Sequence, residues 1–177
     1  DNTSGTIGSV QDALHITAQT GALNNQAGRI EAAKATTIAA VGITNTDGVI
    51  TGASLSANSH TQGFNNTRGQ LIASGTSEAD ALKIQSGVLN NDSGSIQSAA
   101  ALTIDTHGQT LINTNTNTNT NTNSNSNSNS NSNSNSNGNG NSNGNGNGSS
   151  QARGGIISQG RVKLSTGDLN NQAGYIA

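Results

Sequence analysis

The sequence has no proline, cysteine, methionine or tryptophan, and only one phenylalanine (Phe64) and one tyrosine (Tyr175) in 177 residues. Without cysteine it forms no disulfide and offers no thiolate to a metal ion. With almost no aromatic rings, the wide core of an ordinary globular domain lacks its usual filler. Nucleic-acid bases would find no stacking platforms either. Charge is equally sparse: 9% of residues are charged, the formal net charge is −2, and the seven Lys and Arg are scattered. A phosphate backbone meets no basic stripe, so nucleic acid is not an expected partner. No apolar run reaches the roughly eighteen residues that a membrane-spanning helix needs, so the chain is not expected to span a membrane. No initiator Met or signal peptide precedes a repeat that is already running at Asp1, so the chain reads as a segment of a longer protein.

What is present is Ile, Leu, Val, Ala and 23 Gly, arranged as a repeat. Aligning on a glycine that precedes x-Ile or x-Leu gives Gly5, Gly28, Gly48, Gly69 and Gly94, then Gly155 and Gly174. By subtraction the first five lie 23, 20, 21 and 25 residues apart, and the last two 19 apart. The long gap between Gly94 and Gly155 falls to 21 once the 40 residues Thr114 to Arg153 are set aside as an insertion. This divides the chain into repeats over 1–113, a low-complexity insertion over 114–153, and further repeats over 154–177.

Three positions before the glycine stands Asn2, Asn25, Asn45, Asn66, Asn91 or Asn171. In four copies a second Asn precedes it: Asn24, Asn65, Asn90 and Asn170. An apolar residue comes before that, as in Leu23, Ile43, Phe64, Leu89, Leu111 and Leu169, and an apolar-x-apolar pair such as Leu82/Ile84 lies mid-copy. Alternation with period 2 over three short runs per copy means three strands with alternate side chains inward. Glu31 to Ala40 is the one stretch of helix-friendly composition, and its place in the repeat makes it strand. One copy cannot bury its inward face alone, so copies must stack into an all-β parallel β-helix of about six coils. At the corners, Asn and Gly suit positive φ. Stacked Asn amides can also bond to one another as a ladder.

Runs such as Leu23-Asn24-Asn25-Gln26-Ala27-Gly28-Arg29-Ile30, Leu89-Asn90-Asn91-Asp92-Ser93-Gly94-Ser95-Ile96 and Leu169-Asn170-Asn171-Gln172-Ala173-Gly174-Tyr175-Ile176 resemble the haemagglutinin repeats of filamentous-haemagglutinin-like exoproteins. The resemblance covers about three-quarters of the chain, everything but the insertion. It implies a right-handed parallel β-helix in a secreted or surface-exposed bacterial protein, exported through a dedicated outer-membrane transporter of two-partner secretion. It further implies an adhesin, or the stalk of a contact-dependent growth-inhibition effector, facing a receptor or glycan on a host or neighbouring cell. Thr44 replaces the first Asn of one copy and no Asn pair precedes Gly155, so irregular turns are expected there.

From Asn113 to Asn147 every odd position is Asn, alternating with Thr, then Ser, then Gly and Ser. Nothing apolar offsets an ordering cost of about 1–2 kcal/mol per residue, so the tract is expected to be a long disordered loop at a turn. Strict alternation defeats N-x-[ST] within it except at Asn147; Asn2, Asn65 and Asn91 also fit that pattern.

Catalytic chemistry is not expected. Asp12, Glu31, Asp47, Asp92, Asp105 and Asp168 fall at different offsets in their copies, and Glu78 and Asp80 sit in a longer loop. His60 and His107 share an offset but lie two coils apart, about 9–10 Å, too far for one metal ion. His15, between Leu14 and Ile16, points outward. No cofactor is implied. The alternative to a structural stalk is a segment of a carbohydrate-active β-helix enzyme whose carboxylate cleft lies elsewhere in the protein.

Overall fold

The computed structural model describes residues 1–116 and 155–177, the side chain of Asp80 excepted. These residues form an all-β parallel solenoid of about six turns, each turn contributing one strand to each of three sheets. The first sheet holds Thr6–Ser9, Arg29–Ala32, Val49–Gly52, Gln70–Ala73, Ser95–Ser98, Gly155–Ser158 and Tyr175–Ile176. The second holds Leu14–Ala18, Ala35–Ala40, Ser54–Asn58, Leu82–Gln85, Leu102–Asp105 and Val162–Ser165. The third is built from two-residue strands, Leu23–Asn24, Ile43–Thr44, Phe64–Asn65, Leu89–Asn90, Leu111–Ile112 and Leu169–Asn170. Glu31 to Ala40 contributes strands, as its place in the repeat requires.

Parallel register turns the sequence period into columns. In the first sheet Ile7, Ile30, Ile50, Leu71, Ile96, Ile156 and Ile176 stack on one another. Leu55, Leu82 and Leu102 stack in the second sheet, as do Ile43, Phe64 and Leu89 in the third. All these except the end residues Ile7 and Ile176 are buried. Each such side chain contributes about 1.5–3 kcal/mol relative to exposure. The coil that widens its third side with Phe64 narrows its second, placing Ala57 between Ile38 and Ile84 of its neighbours. The small Ala57 and the large Phe64 of one coil thus offset each other in volume.

The sheets run on across the insertion: Ser95 pairs with Gly155, Leu102 with Val162 and Leu111 with Leu169. The expected disorder of 114–153 falls almost entirely outside the described residues. One register expectation needs correction. Ser95 opposes Gly155 and Ile96 opposes Ile156, so Gly155 is a strand residue and not the turn glycine of its copy. A slip of one position exchanges the faces of a strand. Accordingly Ile156 is fully buried, whereas Ile157 opposes the exposed Gln97.

Candidate functional site

The most ordered polar feature is the corner between the third and first sheets. Each described corner except the one at Asn113 is a four-residue turn that starts at an Asn and ends at a Gly, closed by the Gly amide donating to the Asn carbonyl. Gly28 to Asn25, Gly48 to Asn45 and Gly69 to Asn66 measure 3.1, 3.1 and 2.9 Å. From Asn2 to Asn113 the ladder Asn side chains are buried, Asn25, Asn45, Asn66, Asn91 and Asn113 completely, whereas Asn171 in the last coil is exposed. Their amides form one directed chain. Asn2 Nδ2 donates to Asn25 Oδ1 at 2.6 Å, Asn25 to Asn45 at 2.7 Å, and Asn45 to Asn66 at 2.8 Å. Asn66 then donates to Asn91 at 2.7 Å, Asn91 to Asn113 at 2.7 Å, and Asn113 to Asn171 at 2.6 Å. The second amide proton is shared between the carbonyl of the turn glycine, 3.2 Å away in the interior turns, and in several coils a strand carbonyl of the next coil. Because every dipole points the same way, each bond polarises the next.

Asn113 is the rung that repeat alignment misses. It lies two residues after Leu111, as Asn25 does after Leu23 and Asn91 after Leu89, but opens a tract in which alternate residues are Asn. It is the residue that joins the ladder across the insertion.

The turns also correct the expectation about positive φ. The left-handed residue is neither the Asn nor the Gly but the one before the Gly: Ser4, Ala27, Asp47, Arg68, Ser93 and Ala173, with φ between 51° and 56°. The glycine is required by space. A Cβ on Gly28, Gly48, Gly69 or Gly94 would lie 2.1–2.2 Å from the backbone oxygen of the preceding coil's Asn and 2.5 Å from its own Asn Oδ1. Gly174 has the same two neighbours, the backbone oxygen of Asn113 and Asn171 Oδ1, and Gly5 meets Asn2 Oδ1. Gly155, in its strand, faces the backbone of Tyr175 instead.

The first Asn of each pair has a different task. Asn24, Asn65, Asn90 and Asn170 accept the amide of the residue two places on, at 3.0–3.2 Å, which fixes the turn from outside. Asp1 does the same for Thr3. The turn that follows Thr44 is nevertheless regular: Gly48 closes on Asn45 and Asp47 is left-handed. The expected irregularity is absent there because the inner Asn, not the outer one, sets the geometry.

A second column of buried hydroxyls, unforeseen in the sequence, lies where the second sheet meets the third. Ser59 Oγ donates to Gln62 O at 2.8 Å, Thr106 Oγ1 to Gln109 O at 2.6 Å, and Ser86 Oγ to Gly87 O at 3.0 Å. The signal was a small hydroxylated residue four places after the first apolar residue of the mid-copy pair. Among the described residues no buried side-chain nitrogen or oxygen is left without a partner.

Outward chemistry does not repeat. His15, His60 and His107 are exposed, and His107 Nδ1 lies 2.9 Å from Ser86 O, which fixes Nδ1 as its donor. Arg68 grips Asp47 of the previous coil through two bonds of 2.7 and 2.8 Å, and that carboxylate raises its already high pKa. Arg29 pairs with Glu31 and Lys34 with Asp12 at the surface. Asp12 is held below the ordinary carboxylate range by the Ala13 amide and then by Lys34. Among the described residues no group of three His, Cys, Asp or Glu is gathered for a metal ion, and no helix is long and apolar enough to cross a membrane. A shallow groove of about 380 Å³ runs where Gly42 and Gly63 leave gaps beside Val88, with Asn65 and Asn90 along it.

Fold and corner together define the class: a three-sided parallel β-solenoid whose coils are locked by an internal asparagine ladder. Comparison with protein-family models, with curated proteins and with solved structures finds no match to this chain.

Proposed function

We propose that this chain is a length of rigid stalk in a large secreted or surface-exposed bacterial protein of the filamentous-haemagglutinin type, with no catalysis of its own. Its export runs through a two-partner-secretion transporter of the outer membrane. The stalk holds a binding or toxin-bearing part of the protein away from the cell, towards a receptor or glycan on a host or neighbouring cell. The observation that carries this reading is the contrast between inside and outside. Apolar columns and the Asn ladder recur from coil to coil, while the outward residues, the outer turn Asn apart, vary along the stack. A solenoid of that kind repeats its means of support and little else, and each coil adds about 4.8 Å of reach. A cysteine-free chain also suits passage in unfolded form, since no premature disulfide obstructs it.

The test uses the full-length protein in its own cell. Deleting the partner transporter should abolish its exposure to external protease. Removing whole coils should shorten its reach while leaving its intrinsic binding strength unchanged. Retention of the protein inside cells that carry the transporter would refute the proposal, as would release of reducing sugar from a polysaccharide by the purified chain. The latter result would favour the carbohydrate-active alternative.

A further inference from the structure

The turn that begins at Asn113 differs from the others. By register Asn113-Thr114-Asn115-Thr116 matches Asn91-Asp92-Ser93-Gly94, so Thr116 stands where other turns have glycine. A side chain there is what the tight turn cannot hold: at Gly94 a Cβ would lie 2.2 Å from Asn66 O and 2.5 Å from Asn91 Oδ1. The closing amide must therefore go elsewhere. It goes to Asp92 Oδ1, at 3.0 Å. The same carboxylate accepts the hydroxyl of Thr114 at 2.6 Å and that of Thr116 at 2.5 Å. Elsewhere this column of second turn positions holds Thr3, Gln26, Thr46, Thr67 and Gln172, and Asp92 is its only acid. That acid sits on the one coil whose following turn is interrupted by the inserted sequence.

We propose that Asp92 is an anchor for the opened turn: its carboxylate replaces the missing turn-closing bond, pins Thr114 and Thr116 to the preceding coil, and releases them on protonation. The anchor holds the opened turn to the preceding coil, so that Asn113 stays in the ladder and the sheets resume in register at Gly155. Burial pushes the Asp92 carboxyl up, but the Thr114 hydroxyl, the hydroxyl and amide of Thr116, and the Arg68 guanidinium outweigh it and hold the group below its ordinary range. Arg68, itself clasped by Asp47, is the charged group that acts on Asp92 from the neighbouring coil. The neighbouring turn side chains are neutral: Asn90 accepts the Asp92 backbone amide, and Ser93 donates to Asn115. With the folded pKa lowered, the contribution is complete above the ordinary range and is lost as pH falls below about 4. In neutral conditions the anchor is therefore closed.

Amide-resolved NMR of the full chain tests this directly. In the parent, Thr116 N–H should exchange at least about tenfold more slowly than in a free Asn-Thr peptide. Its chemical shift should follow the Asp92 carboxyl, with a midpoint below the ordinary 3.8. In Asp92→Ala the protection of Thr116 should vanish while the Gly94 amide, which closes its own turn, keeps its protection. Equal Thr116 exchange in parent and variant would overturn the proposal, and so would an Asp92 midpoint at or above 3.8. Should the variant fail to fold, the titration of the parent alone decides. None of these readouts depends on secretion or adhesion, so they stand apart from the proposed function.

Discussion

Replacing Asn66 by Ala isolates the ladder in mid-stack. Asn66 is fully buried. It donates to Asn91 Oδ1 at 2.7 Å and to Gly69 O at 3.2 Å, and its Oδ1 accepts Asn45 Nδ2 at 2.8 Å. Truncation removes three bonds and strands the Asn91 oxygen as a buried acceptor with no donor from below. Lost bonds contribute about 0.5–1.5 kcal/mol each and an orphaned buried acceptor costs about 1–3 kcal/mol, with overlap between the two. A net loss of about 2–4 kcal/mol is expected, which lowers Tm by roughly 5–15 °C for a unit of this size. Asn91→Ala should cost a similar amount. Because the two residues share a bond, Asn66→Ala/Asn91→Ala should cost less than the sum of the single variants, by about 1 kcal/mol or more. Asn65→Ala is the control: it removes only the outer turn bonds to Thr67 and should cost no more than about 1 kcal/mol. The assay is thermal and urea unfolding of the full chain followed by far-ultraviolet circular dichroism. An Asn66→Ala variant that melts with the parent, or strictly additive single variants, would refute the ladder as a source of stability.

Gly69→Ala places a Cβ 2.1 Å from Asn45 O and should cost about 3 kcal/mol or more in urea unfolding. Gly21→Ala, with nothing within 4 Å of its added carbon, should leave stability within about 1 kcal/mol of the parent. Ala27→Gly relieves a left-handed residue at φ 51°, and after the added freedom of the unfolded chain it should raise stability by about 0.5–1 kcal/mol; a lower urea midpoint would contradict this. Phe64→Ala empties the widest point of the core and should cost about 3–5 kcal/mol, whereas a loss below about 1 kcal/mol would mean that the third column is loosely packed.

The fold was legible because a strand has period 2 and a coil has a period near 21, and both survive in the spacing of Ile, Leu and Asn. What the spacing left ambiguous has physical causes. Gly154-Gly155-Ile156-Ile157 contains two overlapping G-x-I phrases, and only strand pairing selects Ile156 as the inward residue. The left-handed position went unread because Ala27, Asp47, Arg68, Ser93 and Ala173 share no side-chain property: the backbone of the turn imposes that conformation, and the glycine beside it serves closeness instead. Asn113 was hidden by the tract it opens. The outer residues of the third sheet, such as Thr44, proved exchangeable because the turn is fixed from within.

The two stretches of repeats form one solenoid, joined at Asn113 across an insertion that it does not need. Deleting residues 116–153 tests this most directly, since the junction becomes Asn113-Thr114-Asn115-Gly154, a turn of the same form as Asn25-Gln26-Ala27-Gly28. Asn at the third position tolerates the left-handed conformation the turn demands. The shortened chain should keep its β-sheet circular dichroism and unfold in one cooperative transition, at a Tm equal to or above that of the parent. Two separate transitions, or loss of the β signal, would show that the repeats on either side are not a single stack.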